Sequence, residues 1–289
     1  MKRRRIFIGI LAIVVLLCLF FSGLFLIGRL SMKSGPLPFG DKIAIVEVKG
    51  VITQSSEVIG EIHQYLADDG VKAIILRVDS PGGGVGPSQE IYQEVVKAKK
   101  KKRIVTSMGA VAASGGYYVA CASDLIVANP GTITGSIGVI MQFSNFEELL
   151  KKIGIKGMVI KSGEHKDMGS PFREMTPEEK RIMQATLDNV HDQFIRAVAE
   201  GRNLDRTKVT PLADGRIMTG EQAKQVGLVD VMGNLQDAVD EASKLAGIEG
   251  RPQVIYPKKK LSILEFLIKE TASGVIEALR EKEFEISYR

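Results

Sequence analysis

Three short stretches of the 289-residue chain hold residue types from which acyl-transfer chemistry is built. In "GAVAASGGYYVACA" (109–122), Ser114 stands before Gly115, Gly116 and an apolar helical segment. Two glycines at a helix start cost roughly 1 kcal/mol each relative to alanine, so the position gives up helix stability for something else. A serine there gains the N–H groups and partial positive charge of the following helix, which stabilise an adjacent oxyanion. The small neighbours Ala112, Ala113, Gly115 and Gly116 leave room for a substrate backbone. The G-x-S-x-G elbow is absent, because Ala112 fills its first position. Taken alone, Ser114 reads as a nucleophile or as a plain N-cap.

The second stretch is "RVDSPGGGVGPSQEI" (77–91). A buried strand ends at Asp79, Pro81 sets a turn, and three glycines lead into a helix. Bare N–H groups at such a junction form an anion-binding concavity. The phosphate-loop pattern fails, since no Lys-Ser/Thr pair follows the glycines, and G-x-G-x-x-G is absent too. What remains is a turn that donates N–H groups to a carbonyl oxygen under attack.

A nucleophilic serine needs a base. Of the three histidines, His63 and His191 lie in helical patterns among surface-type residues, and His165 lies in the polar loop "KSGEHKDMGSPFREMT" (161–176). Beside it stands Lys166, the third candidate. A lysine serves as general base only where burial or nearby cations make it neutral at working pH; otherwise it is a solvated loop cation.

The elements that must position these residues alternate. Strands are expected over 42–50, 72–80, 103–108, 124–130, 136–143 and 156–162, and helices over 56–68, 87–99, the segment after Ser114, and 146–153. Such alternation implies crossover units and a mostly parallel sheet, an α/β fold. From Thr176 the pattern turns helical, with Pro177 at the first position and one apolar stripe running from 182 to 198, set to pack on the sheet or on another subunit. Shorter helices are expected near 219–226 and 234–247.

"VDSPGGGV", "GAVAASGGYYVACASD", "TITGSIGVI" and "SGEHKDMGSPFREMTPEEKRIMQ" occur in that order. Together they resemble the signal peptide peptidase family in its short bacterial form, across about residues 42–250. The resemblance implies the Clp/crotonase-like superhelix of strand-strand-helix units and a membrane-anchored serine protease with a Ser/Lys dyad. It assigns Ser114 as nucleophile, Lys166 as general base, and the N–H groups of Gly83 and Gly115 as the oxyanion hole. Gly84 leaves a one-residue ambiguity over the first donor. It implies no metal and no cofactor, peptide substrates such as cleaved signal peptides, and a ring-shaped homo-oligomer whose subunits share the dyad. Alternatives are a membrane-protein-specific protease of the stomatin-processing type, a non-catalytic scaffold ring, and a crotonase-type acyl-CoA enzyme.

Outside that span, "MKRRR" precedes 23 uncharged residues, 6–28, enough to cross a bilayer as one helix. A retained anchor is expected over residues 1–30, its basic flank cytoplasmic and the rest of the chain beyond the membrane. A cleaved signal peptide is the alternative. The linker is 31–41, the protease domain 42–250, and an amphipathic helical tail 251–289. Four of the five net positive charges sit at residues 2–5, which leaves the body near neutral and removes nucleic acid as a partner. "KAKKKKR" (97–103) closes a helix as a solvated face. Cys121 stands alone outside the apolar segment and reads as core, so no intrachain disulfide is available there.

Overall fold

A computed structural model of the chain describes residues 40–257, together with Leu16 and Leu17 in helical conformation. The expected membrane span and most of the expected tail, 258–289, lie outside the described residues. Among the described residues no helix is long and apolar enough to cross a membrane.

The sheet is built from runs of β-branched and small apolar residues. Strands β1 (Lys42–Ile52), β2 (Val71–Gly83) and β3 (Arg103–Ala113) lie side by side and parallel. The connections are α1 (Ser56–Ala67) and α2 (Val85–Ala98). After β3 come α3 (Gly115–Ala120), β4 (Leu125–Ala128) and β5 (Ile133–Gly135). Next are α4 (Glu147–Lys152), the long α5 (Pro177–Arg202) and α6 (Arg206–Val209). The last elements are β6 (Ile217–Thr219), α7 (Gly220–Gln225), β7 (Val231–Met232), α8 (Leu235–Ala246) and β8 (Gln253–Ile255). Strand order is β6-β5-β3-β2-β1-β8, with β4 bridging β3 and β7. The β5–β6 pair alone is antiparallel among the described pairings.

Both faces of the sheet are covered, which explains why its strands are apolar at consecutive positions rather than at every second one. Ala44, Val46, Val48, Ile74 and Leu76 pack toward Ile62, Ile91, Val95, Tyr117 and Val198. The alternating set Ile43, Ile45, Ala73, Ile75 and Val105 packs on Ala238, Val239 and Ala242 of α8. Each fully buried valine, leucine or isoleucine among them contributes roughly 1.5–3 kcal/mol. Cys121 is buried here as expected, and burial pushes its thiol up to about 12.

Register breaks divide the central strands into a long arm and a short one. They fall between Lys49 and Val51 in β1 and between Val78 and Ser80 in β2, where Val78 pairs with Met108 but Ser80 pairs with Ala112. The long arm of β3 pairs with β4 through Val105–Ser107 and its short arm with β5 through Val111–Ala113. Asp79 anchors the break, its carboxylate accepting the Val111 N–H at 3.1 Å. The short arms of β2 and β3 carry the two candidate motifs to the same place.

Two expectations need correction. Residues 136–143 and 156–162 form no strand and pair with no described strand. Ile137 is buried in the core, but other apolar side chains of these segments face solvent: Ile140 is 85 % exposed, Met158 88 % and Ile160 93 %. A strand needs an edge to pair with along its length; the first segment bonds only at its start, through the Ser136 N–H to the Arg216 carbonyl and the Gly215 N–H to the Ile137 carbonyl. The sheet also runs past residue 250, since Gln253–Ile255 pairs with Lys42–Ala44 of β1.

Candidate active site

Ser114 is the hinge between β3 and α3. Its backbone takes φ 52° and ψ −122°, a conformation that side-chain-bearing residues rarely adopt. The turn is held from both sides: the Ser114 N–H donates to the Gly135 carbonyl at 2.9 Å, and the Ser114 carbonyl accepts from the Tyr118 N–H at 2.8 Å. The side chain makes no capping hydrogen bond. The N-cap reading of this serine therefore fails. The strained turn presents a hydroxyl that no capping bond uses.

The glycines after it serve a closer contact than a substrate. A Cβ on Gly115 would stand 2.5 Å from Ser88 Oγ and 3.2 Å from the Gly83 nitrogen. A Cβ on Gly116 would stand 2.7 Å from the Ser80 carbonyl oxygen. The room around Ser114 is taken by the β2–α2 turn, packed directly against it. Gly82, at φ +104°, makes that turn, and its N–H donates to Ser80 Oγ at 3.1 Å. The Gly84 N–H donates to the Ile52 carbonyl at 2.8 Å, so it is not available to a ligand. Of the two glycines left ambiguous by the sequence, Gly83 is the one whose nitrogen lies beside Gly115. Ser88, buried in α2, donates its hydroxyl to the Gly84 carbonyl at 2.8 Å and braces the turn from behind.

Ser114, Gly83 and Gly115 line one cavity of about 700 Å³. Its apolar wall includes Val139, Ile140, Met141, Leu187, Val190 and Phe194. Tyr118 meets Tyr92 edge-on and Phe194 at a tilt, ring centroids 5.0 and 4.8 Å apart, and burial pushes its phenol up. Sequence patterning missed several cavity residues. Ser88, Ser136, Asp188 and His191 all line it. His191 reads as surface helix because the face of α5 that meets the cavity is set by tertiary packing; its Nε2 is buried without a hydrogen-bond partner among the described residues.

Lys166 does not line this cavity. It stands exposed in the 161–176 loop, its N–H donating to the Gly163 carbonyl at 3.2 Å. The residues flanking it are tied down: the Asp167 carboxylate accepts from Lys161 Nζ at 2.7 Å and from Arg173 Nε at 2.9 Å. The described chain thus brings Ser114 together with Gly83 and Gly115, and leaves Lys166 outside their cavity. Among the described residues no cluster of His, Cys, Asp or Glu could hold a metal.

Residues 96–249 match the model of peptidase family S49. The chain belongs to this family. The match contains Ser114, Gly115 and Lys166 and begins after Gly83. A Synechocystis protein provisionally named a protease is 46% identical over 209 residues, 72% of this chain and 76% of that one. An Enterococcus faecium protein, provisionally named signal peptide peptidase SppA, is 41% identical over 217 residues, 70% of this chain and 63% of that one. Among solved structures, a membrane-bound stomatin-specific protease variant with a substrate peptide has a TM-score of 0.50 at 21% identity, covering 81% of this chain and 99% of that one. That likeness is one of fold, consistent with the Clp/crotonase-like class. As an S49 member the chain is a serine peptidase, a hydrolase acting on peptides or proteins.

Proposed function

We propose that this S49 peptidase is a membrane-anchored endopeptidase that degrades apolar peptides, remnant signal peptides among them, through an acyl-enzyme on Ser114 with Lys166 as general base. The observation that carries the reading is the Ser114 hydroxyl, held on a strained turn, without a capping role, in a cavity with one apolar wall beside the Gly83 and Gly115 nitrogens. Ser114 Oγ attacks the scissile carbonyl while neutral Lys166 takes its proton. The oxyanion is received by the two glycine N–H groups, and loss of one such donor typically costs about 10²–10³ in rate. Lys166 then returns the proton to the leaving amine, and water, activated by the same amine, releases the acyl group.

The lysine comes from a neighbouring subunit in this reading. Lys166 lies away from the cavity of its own chain, and the segment leading to it exposes Ile140, Phe143, Leu149, Ile155, Met158 and Ile160. Apolar surface on this scale marks an interaction site. A second copy covering it would also bury the amine, and burial favours the neutral form that a base requires. The basic flank and the uncharged run 6–28 would hold the ring at the membrane with its catalytic domains outside the cytoplasm.

Mixing tests this. Ser114→Ala and Lys166→Ala are each expected to abolish cleavage of a signal peptide. Mixed assemblies of the two should regain part of the activity, because some interfaces pair an intact serine with an intact lysine. No recovery in verified mixed assemblies contradicts the shared site, and cleavage by Lys166→Ala alone contradicts the dyad.

A further inference from the structure

We propose that Arg173 is a positioning residue for Lys166: it pins the lysine loop to the first turn of α5 and occupies the Asp167 carboxylate, which would otherwise pair with the catalytic amine. The proposal rests on the reading of Lys166 as general base.

Arg173 lies between two carboxylates. Its Nε and Nη2 donate to Asp167 at 2.9 and 2.8 Å, and its Nη1 and Nη2 donate to Glu179 at 2.8 and 2.5 Å. Glu179 is 3 % exposed and belongs to the helix itself. Its carboxylate accepts the Thr176 N–H at 2.9 Å while Thr176 Oγ1 accepts the Glu179 N–H at 3.2 Å, a closed capping box. The guanidinium therefore fixes the lysine loop on the capped first turn of α5, and the same helix continues to Leu187, His191 and Phe194 in the wall of the serine cavity. A planar fork that binds two carboxylates in fixed directions is a role lysine cannot reproduce.

The charge arrangement gives the clamp a second effect. Two cations, Arg173 and Lys161, serve two anions, Asp167 and Glu179. Around them the other charged or titratable groups include Glu164, His165 and Glu174 of the loop, Glu178 in the first turn of α5, and Glu147 of α4, which accepts the Glu174 N–H and pairs with Lys151. The Lys166 amine has no hydrogen bond or ion pair among the described residues. An aspartate immediately after a basic lysine is a hazard, since a free carboxylate favours the protonated amine. With Arg173 and Lys161 on it, Asp167 stays paired within its own loop.

The experiment is a pH profile of kcat/KM for the full-length protein in detergent, cleaving a signal peptide. Arg173→Gln is expected to lower kcat about tenfold or more with a much smaller change in KM, and to move the acid limb alkaline by about one pH unit. Adding Asp167→Asn to Arg173→Gln should return the limb to its wild-type position, because no carboxylate remains to hold the proton. Asp167→Asn alone, which keeps Arg173 on Glu179, should not move the limb alkaline. An unmoved limb in Arg173→Gln, or a limb that stays displaced in the double variant, overturns the proposal. Lys166→Ala separates the two claims: if it cleaves, the base reading falls, and if it is inactive while the limb stays unmoved, only the role of Arg173 falls.

Discussion

Gly116 and Ser80 meet so closely that a single methyl on the glycine would stand 2.7 Å from the serine's carbonyl oxygen. This contact joins the short arm of β2 to the start of α3, and so sets the glycine turn against Ser114. The neighbour is backbone and cannot rotate away. Gly116→Ala should therefore destabilise the fold by about 1–3 kcal/mol, the usual cost of overpacking, and abolish cleavage. Urea denaturation beside a peptide assay measures both; an alanine variant with wild-type stability and activity would show that the contact is slack.

Ser114 carries strain that glycine would relieve. Its φ of 52° costs a side-chain-bearing residue on the order of 1–3 kcal/mol, against roughly 0.5–1 kcal/mol of extra unfolded-state freedom for glycine. Ser114→Gly should be inactive and about 1 kcal/mol more stable than the wild type. A less stable glycine variant would mean that the hydroxyl, not the turn, is being held by the fold.

The Arg173 clamp gives stability a defined acid dependence. Arg173, followed by the Thr176 N–H, holds the Glu179 carboxyl down at about 2 against an ordinary 4.5, and Arg173 with Lys161 holds Asp167 well below the usual carboxylate range. Folded-state values are depressed, so the stabilisation is complete above about pH 4.5 and is lost as pH falls toward about 2. Melting temperature followed down this window should fall, and Glu179→Gln should start lower and fall less steeply. Parallel slopes for the two proteins would remove the clamp from the acid response.

The legible parts of the sequence were those fixed by local chemistry. The apolar runs gave β1, β2 and β3, and Thr176-Pro177 gave the start of α5, because caps and strand periodicity are local properties. Ser114 and the glycine turn were visible as a pair, although the glycines make room for Ser80, Ser88 and Gly83 of the chain itself. Three-residue strands such as Gln253–Ile255 carry too little pattern to be seen. Residues 136–143 and 156–162 have strand composition without a strand partner, since pairing is decided by what lies alongside. His191 and Ser136 reach the cavity through the packing of α5 and the turn after β5, which no spacing rule encodes.

The central claim is that Ser114 is the nucleophile and Lys166 its base. Labelling of the assembled protein with a fluorophosphonate, followed by peptide mapping, tests it most directly. The account predicts one adduct, on Ser114, absent from Ser114→Ala and formed far more slowly in Lys166→Ala. An adduct on another residue, or labelling of Lys166→Ala at the wild-type rate, would contradict it.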